Sequence, residues 1–532
     1  MALAPGNVAS IPSASSSQED CRRPGVSECL LALAVSGVVF LSRVPVIRYP
    51  VEMNVDESQM LAQALRYTKD FVPWRGVDGT SSGPLNSWFL LLPHLLGMRL
   101  YYTEAHLLAA ISWSASAFAC WLAARFAFGA KGAMAGLAMM VAWLVCQQGP
   151  DFLQYSSEVL PVLLLSLALI GVASGGTGYY AAAVLLGLVP WSKLQAAPIG
   201  AVIGAWMLAR ILWSPGHRGY SRVMERVRTA LLVFGLSLLP TIILIAFVAR
   251  GGALEEMWRS YIIANLYYAG SFDVLGFLSG LLQREWTWRV GPWSLGLLII
   301  WGVAFALRRN RLARFRWLGF ESLAWMVFLV SWYVCSRPEQ SFEHYQFLLL
   351  PGMALMTAGA FHALEEETTA SSAASICCWS AVCAYLLFNL FPALSSMRHM
   401  MREPNPPASD AKIVLSRIEE LAPGGQRIAI WGWFPSLYVE SGIPPATRHA
   451  IAHFLYGKNP SRDYLRSTYM VDLLTEQPQV FVDAHIRLLD RSFARDPISR
   501  FPALHDYVRA NFALVCSIDT SSGPVEIYLR KK

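Results

Sequence analysis

The sequence predicts an α-helical polytopic membrane domain followed by a soluble α/β domain, and three observations carry that expectation. Of the 532 positions, 55% are hydrophobic and 15% charged, a balance suited to a chain that spends much of its length in lipid. Apolar runs of bilayer-crossing length recur between about residue 26 and residue 395. Residues 396–532 return to an ordinary soluble composition. The boundary is expected in Met401-Arg402-Glu403-Pro404-Asn405-Pro406-Pro407, a polar, proline-rich linker.

The elements follow in chain order. Residues 1–25 are rich in Ser, Ala and Pro and are expected to form a disordered cytoplasmic N-terminus. Arg22 and Arg23 precede the run Leu30 to Leu41 as the basic region of a signal peptide would, but no small-residue cleavage site follows. The run therefore reads as an uncleaved first span. Because Lys and Arg accumulate in cytoplasmic loops, the basic connections Arg125 to Lys131, His217 to Arg228 and Arg308 to Arg316 fix the frame. With the N-terminus inside, 26–46 exits and 104–126 returns. Runs 132–148, 158–175, 179–191, 195–213, 229–249, 292–307, 317–335, 342–362 and 372–395 then alternate, giving about eleven spans in all.

Leu85 to Met98 is apolar but short and contains His94, so it is expected to be interfacial or re-entrant. Gly251 to Arg289, with Trp258, Tyr261, Tyr267, Tyr268, Trp286 and Trp288, is expected to lie at the membrane surface, either as an anchor or against a lipid substrate. In the tail, Arg427 to Trp431, Val480 to Val482, Ala513 to Ile518 and Val525 to Leu529 read as strands, and Asp410 to Leu421 as a helix. The frame puts this α/β tail on the same outer face as the first long loop.

Several function classes lose support. A net charge of +7 follows from the positive-inside bias and is no sign of a nucleic-acid partner. Most of the nine cysteines sit in or beside apolar runs and none forms a metal-type CxxC pair. No internal repeat, GxGxxG or phosphate-loop pattern appears.

Chemistry is expected where polar groups gather at outer span ends. Asp56 and Glu57, in Val55-Asp56-Glu57-Ser58-Gln59, are placed to take a proton from an acceptor hydroxyl. Lys193, in Trp191-Ser192-Lys193-Leu194-Gln195, is an ionisable group at a span end on the side where Lys is disfavoured, and suits a phosphate. Asp151, Tyr155, Ser157 and Glu158 open the fourth span and either orient a sugar or bind a metal; Asp151 and Glu158 stand as alternatives for that metal. Arg337, Glu339, Glu343, His344, Tyr345 and Gln346 form another polar cluster. Within it Arg337 suits a phosphate, and His344 is either a ligand or a hydrogen-bonded structural residue.

The order Asp56-Glu57, Ala62 to Leu65, Asp78-Gly79-Thr80 and Gly83-Pro84-Leu85 resembles the polyprenyl-phosphate-dependent glycosyltransferases of the GT-C superfamily. That group includes the protein O-mannosyltransferases, the aminoarabinose transferase of lipid A and the lipopolysaccharide-core transferases. The likeness extends more loosely to Lys193 with Gln195, to His344-Tyr345, and to Trp431-Gly432-Trp433 with Tyr438. It implies Asp56 as catalytic base beside Glu57, Lys193 and Arg337 on the donor phosphate, and a second acidic site at Asp151 or Glu158. Tyr155, Gln195, His344 and Tyr345 are then expected to contact substrate. The implied partners are a polyprenyl-phosphate sugar donor, the bilayer, and a glycan, lipid or protein acceptor. No cofactor is required beyond a divalent metal left open. The expected location is a bacterial inner membrane with the site facing the periplasm or exterior. The competing reading is a multi-span transporter or lipid flippase with an outer soluble domain.

Overall fold

The computed structural model describes residues 24–213, 220–270, 319–337, 342–365, 383, 389–402, 408–456, 459–485 and 498–532. The expected span 292–307, most of 372–395, and Trp286, Trp288 and Glu339 lie outside the described residues.

The membrane domain begins with α1, Val26–Ile47. After it come α2, Val55–Tyr67, and α3, Pro84–Leu95. At 12 residues α3 is about 18 Å long, too short to cross. The expectation of a juxtamembrane element there agrees with its length. Next is α4, Tyr102–Cys146, broken at Gly129, whose φ of 81° and ψ of −179° leave the helical region. Glycine makes that break inexpensive, and it turns 45 helical residues into the two expected spans. Then follow α5, Val159–Ser174; α6, Gly178–Ser192; α7, Ala197–Trp213; α8, Tyr220–Arg250; α9, Phe320–Ser336; and α10, Leu350–Glu365. Among the described residues, five helical stretches are long and apolar enough to cross a membrane, and α5, α6 and α9 are shorter apolar helices.

Side-chain contacts fix which helix ends share a face. Glu28 at the start of α1 takes a hydrogen bond from Arg125 Nε at 3.0 Å, just before the break in α4. At the other end of α1, the buried Arg43 donates to the Leu144 carbonyl at 2.9 Å and to Gln147 at 3.2 Å, filling acceptors that the end of α4 leaves open. Both pairings agree with the alternation expected from the basic loops. α4 and α10 approach closely, since a Cβ on Gly136 would lie 2.6 Å from the Ala354 carbonyl oxygen.

The tail holds α11, Asp410–Leu421; β1, Ile428–Gly432; α12, Ser436–Ser441; α13, Arg462–Glu476; β2, Val480–Ala484; α14, Pro502–Asn511; β3, Phe512–Thr520; and β4, Gly523–Arg530. The strands form one four-stranded sheet in the order β1-β2-β4-β3, with β1 and β2 parallel and the other pairings antiparallel. All four expected strands are present. One face packs Trp431, Phe481, Phe501 and Phe512 with α13 and α14, and the other packs Ile430, Val482 and Ile527 with α11 and α12.

This unit is fastened to loops of the membrane domain. Asp78 N donates to the Arg448 carbonyl at 2.8 Å, and His449 Nδ1 lies 3.5 Å from Asp78 Oδ2. Arg448 grips Asp472 at 2.7 Å and also donates to the Trp74 carbonyl at 3.3 Å. Arg66 bridges to Glu476 at 2.9 Å and to the Pro445 carbonyl at 3.0 Å.

Candidate active site

The first turn of α2 sets the two acidic side chains apart. Asn54 caps the helix by accepting from Asp56 N at 3.0 Å, and carboxylates in a first turn suit the helix dipole. Consecutive helical residues point about 100° apart, so one of the pair faces the protein interior and the other a partly open mouth. Glu57 is fully buried. It accepts from Tyr155 N at 2.8 Å and Met53 N at 3.3 Å, and His106 Nε2 lies 3.1 Å away. Asp56 keeps 30% of its side chain exposed.

His344 stands between Asp56 and Asp151. Its Nε2 lies 3.6 Å from Asp56 Oδ2 and its Nδ1 3.4 Å from Asp151 Oδ2. The ring is held by stacking on Phe342, with centroids 5.4 Å apart at 12°, and by the buried Gln154, 3.5 Å from Nδ1. Asp151 is fixed in turn: Asn54 Nδ2 donates to one oxygen and Glu343 N to the other at 3.2 Å. Burial raises the Asp56 carboxyl above its ordinary range; the His344 charge opposes that rise and Asp151 adds to it. Burial also pushes Asp151 upward, but the hydrogen bond and charge of His344 outweigh it and hold that carboxyl below its usual value.

A second cluster adjoins the first. Lys193, at the end of α6, is buried, ion-paired to Glu158 and donates to Ser157 Oγ at 2.7 Å. Its Nζ also sits 4.6 Å from the centroid of Tyr345, a cation–π contact. Tyr345 OH shares a hydrogen bond with Tyr268 OH at 3.1 Å. Asn86 of α3 ties this corner together, donating to the Ser157 and Ser192 carbonyls at 2.9 and 2.8 Å. Gly83 N donates to Ser192 O at 2.9 Å, and a Cβ at Gly83 would fall 2.0 Å from the Trp191 carbonyl oxygen, so only glycine fits there. The charges of Lys193 and Glu158 both reach Asp56.

The structure thus brings together Asp56, Asp151, Glu158, Lys193, His344 and Tyr345. Glu57 and Tyr155 meet each other behind them, with Tyr155 OH donating to the Asn86 carbonyl at 3.2 Å. Gln195 donates to the Val334 carbonyl at 2.8 Å, linking α7 to α9, and Arg337 donates to the Gly270 carbonyl at 2.6 Å. Of the carboxylates open as metal ligands, Glu158 is engaged by Lys193, and both Asp151 oxygens already accept hydrogen bonds. His106 and Asn86 escape sequence reasoning, because a polar residue inside an apolar run shows no partner until the helices are assembled; Gln154 lies in the polar stretch Asp151 to Glu158, which gives no sign of its contact with His344.

The burial of Glu57 makes one prediction here. Glu57→Ala leaves two backbone N–H groups without their acceptor, one of them the Tyr155 N–H, and should cost on the order of 3 kcal/mol. The check is the thermal unfolding midpoint in detergent. An unchanged midpoint would show that the clamp contributes nothing.

No family model and no curated protein sequence matches this chain. Solved structures do share its fold. ArnT from Cupriavidus metallidurans bound to undecaprenyl phosphate is 15% identical with a TM-score of 0.57, the match covering 95% of this chain and 98% of that one. Its apo state gives 15% and 0.57 over 94% and 97%. A weaker likeness, 11% identical with a TM-score of 0.47 over 97% and 75% and no basis for a shared fold, is to the oligosaccharyltransferase AglB from Archaeoglobus fulgidus in complex with an inhibitory peptide and a dolichol-phosphate. The chain therefore shares the fold of ArnT over nearly its whole length, a helical membrane domain followed by a small C-terminal sheet domain.

Proposed function

We propose that this chain, an integral membrane protein of GT-C fold, is a glycosyltransferase that moves a sugar from a polyprenyl-phosphate donor to a hydroxyl acceptor on the outer face of the membrane. The observation that carries the reading is the pairing of a partly exposed carboxylate, Asp56, with a buried cation, Lys193, at one mouth. A base and a fixed positive charge are what such a displacement needs. The undecaprenyl phosphate bound to ArnT supports a lipid phosphate as the leaving group.

In the proposed step the acceptor oxygen attacks the anomeric carbon. The bond from that carbon to the phosphate oxygen breaks, the acceptor proton passes to Asp56, and the lipid phosphate departs carrying the negative charge. Lys193 faces that charge, as an ammonium held by Ser157 and Glu158. Arg337 is assigned to the same phosphate. Asp151 orients His344, whose ring holds the Asp56 carboxylate toward the acceptor. Glu57 and Tyr155 fix the α2 turn, and Tyr345 and Gln195 shape the donor side. No step is routed through a metal. The location assigned is a bacterial inner membrane, with the site toward the periplasm or exterior.

The test uses purified protein in liposomes with polyprenyl-phosphate sugars. The expected result is a glycosylated hydroxyl product formed in step with free lipid phosphate. Movement of intact lipid-linked sugar between leaflets with no product would overturn the reading in favour of a flippase.

A pH prediction follows from the site. The base works ionised, so activity should fall as pH drops through a carboxyl value raised by burial. His344→Ala removes the charge that opposes that rise, so the acid limb of the rate profile should move to higher pH. A limb that stays in place, or moves to lower pH, would break the link between His344 and Asp56.

A further inference from the structure

We propose that Asp483, His485 and Glu526 form a divalent-metal site in the soluble domain, suited to Zn²⁺. Their ligand atoms all lie within 4.8 Å of one another, and among the described residues they are the one His/Cys/Asp/Glu group that converges in this way. The site does not depend on the transfer reaction.

The backbone explains the convergence. Asp483 and His485 are two residues apart at the end of β2, a spacing that puts side chains on one face of a strand. Glu526 is the direct partner of Asp483 across the antiparallel β2–β4 pair. His485 N donates to the Pro524 carbonyl at 3.0 Å, which continues the pairing past the strand end. His485 Nε2 lies 3.3 Å from Asp483 Oδ2. Zinc bonds of about 2.0–2.1 Å in a tetrahedron give an edge of roughly 3.3 Å, so these two atoms already have ligand spacing.

An independent observation points to a cation at this position. Asp483 is 2% exposed, and among the described residues its carboxylate has His485 as its side-chain partner, with no donor from outside the trio. Burying a carboxylate with a single side-chain partner is costly, and like charges directly opposite on paired strands are destabilising. A dication between Asp483 and Glu526 removes both penalties and neutralises the pair. Glu526 is prepared for it: Tyr528 OH donates to its Oε2 at 2.6 Å, an outer hydrogen bond of the kind that orients a ligating carboxylate. One imidazole with two carboxylates is a first-row transition-metal set, and three protein ligands leave a fourth position for water or an anionic group.

The experiment uses full-length protein in detergent, stripped with EDTA, dialysed against Zn²⁺ and assayed for bound metal by mass spectrometry, with affinity measured against a chromogenic chelator. One Zn²⁺ per chain is expected. Asp483→Asn and Glu526→Gln should each weaken binding at least about tenfold. Because the buried Asp483 variant risks misfolding, His485→Gln and Co²⁺ substitution complete the test, the latter expected to give visible tetrahedral absorption lost in His485→Gln. No Zn²⁺ above buffer in the wild type overturns the site, as does unchanged affinity in all three variants. Binding that is lost in Asp151→Asn but kept in those variants would place the metal elsewhere and overturn it equally.

Discussion

Asp56→Asn should abolish sugar transfer while leaving the protein folded. A positioned base contributes about 10²–10⁴-fold, and the amide cannot accept the acceptor proton, so the rate should fall by that factor with little change in donor affinity. Folding should hardly respond. Asp56 is partly exposed and meets His344 only at 3.6 Å, so the change belongs with surface substitutions worth about ±0.5 kcal/mol. Asp56→Glu retains a carboxylate on a longer arm and should recover part of the rate. The readings are product formation in liposomes and the unfolding midpoint in detergent. Undiminished turnover by a folded Asp56→Asn protein would remove Asp56 as the base.

The second large effect separates two roles of Lys193. Lys193→Met removes the proposed phosphate partner but also strands Glu158, fully buried, without its counter-charge. Breaking a buried pair from one side costs about 3–5 kcal/mol, so lost activity in that variant alone proves little. Lys193→Met combined with Glu158→Gln removes both charges. Its stability should return close to wild type, because replacing both members of a buried pair is often neutral. Transfer should stay strongly reduced, because the departing phosphate then keeps only Arg337 of its two assigned cations. If the double variant recovers transfer together with stability, Lys193 is a structural cation and the phosphate is held elsewhere.

The extent to which this site is legible in the sequence differs residue by residue. Asp56 and Lys193 stand out because charged groups at span ends are rare in an apolar chain. The division of labour between Asp56 and Glu57 does not: adjacent positions look alike until the helix phase decides which one faces Tyr155 N and His106. His344 is visible as a polar residue ahead of the apolar run from Phe347, but its place between Asp56 and Asp151 depends on helices far apart in sequence. Charge bias along the chain sets a span frame, and the contacts of α1 with α4 agree with it. The break at Gly129 is only half readable, since a glycine inside a helical run does not announce that its φ is positive. Asp483 and His485 follow directly on the readable run Val480 to Val482, yet Glu526 joins them only through the β2–β4 register, which no local pattern encodes.

The fastening of the soluble unit limits how far the two halves are modular. The loop carrying Asp78 is held from one side by Arg448 and His449 and from the other by Ser260, which donates to Asp78 Oδ1 at 2.8 Å. The same loop continues through Thr80 into Ser82, which bridges to Lys193. A chimera that exchanges residues 408–532 for another sheet domain therefore inherits a working mouth only if it also carries an arginine–histidine pair at the docking loop and an acid to hold the arginine. Transplanting the membrane half by itself would leave the wall beside the cation unsupported, so the sheet domain and the mouth that holds Lys193 must be exchanged as one unit.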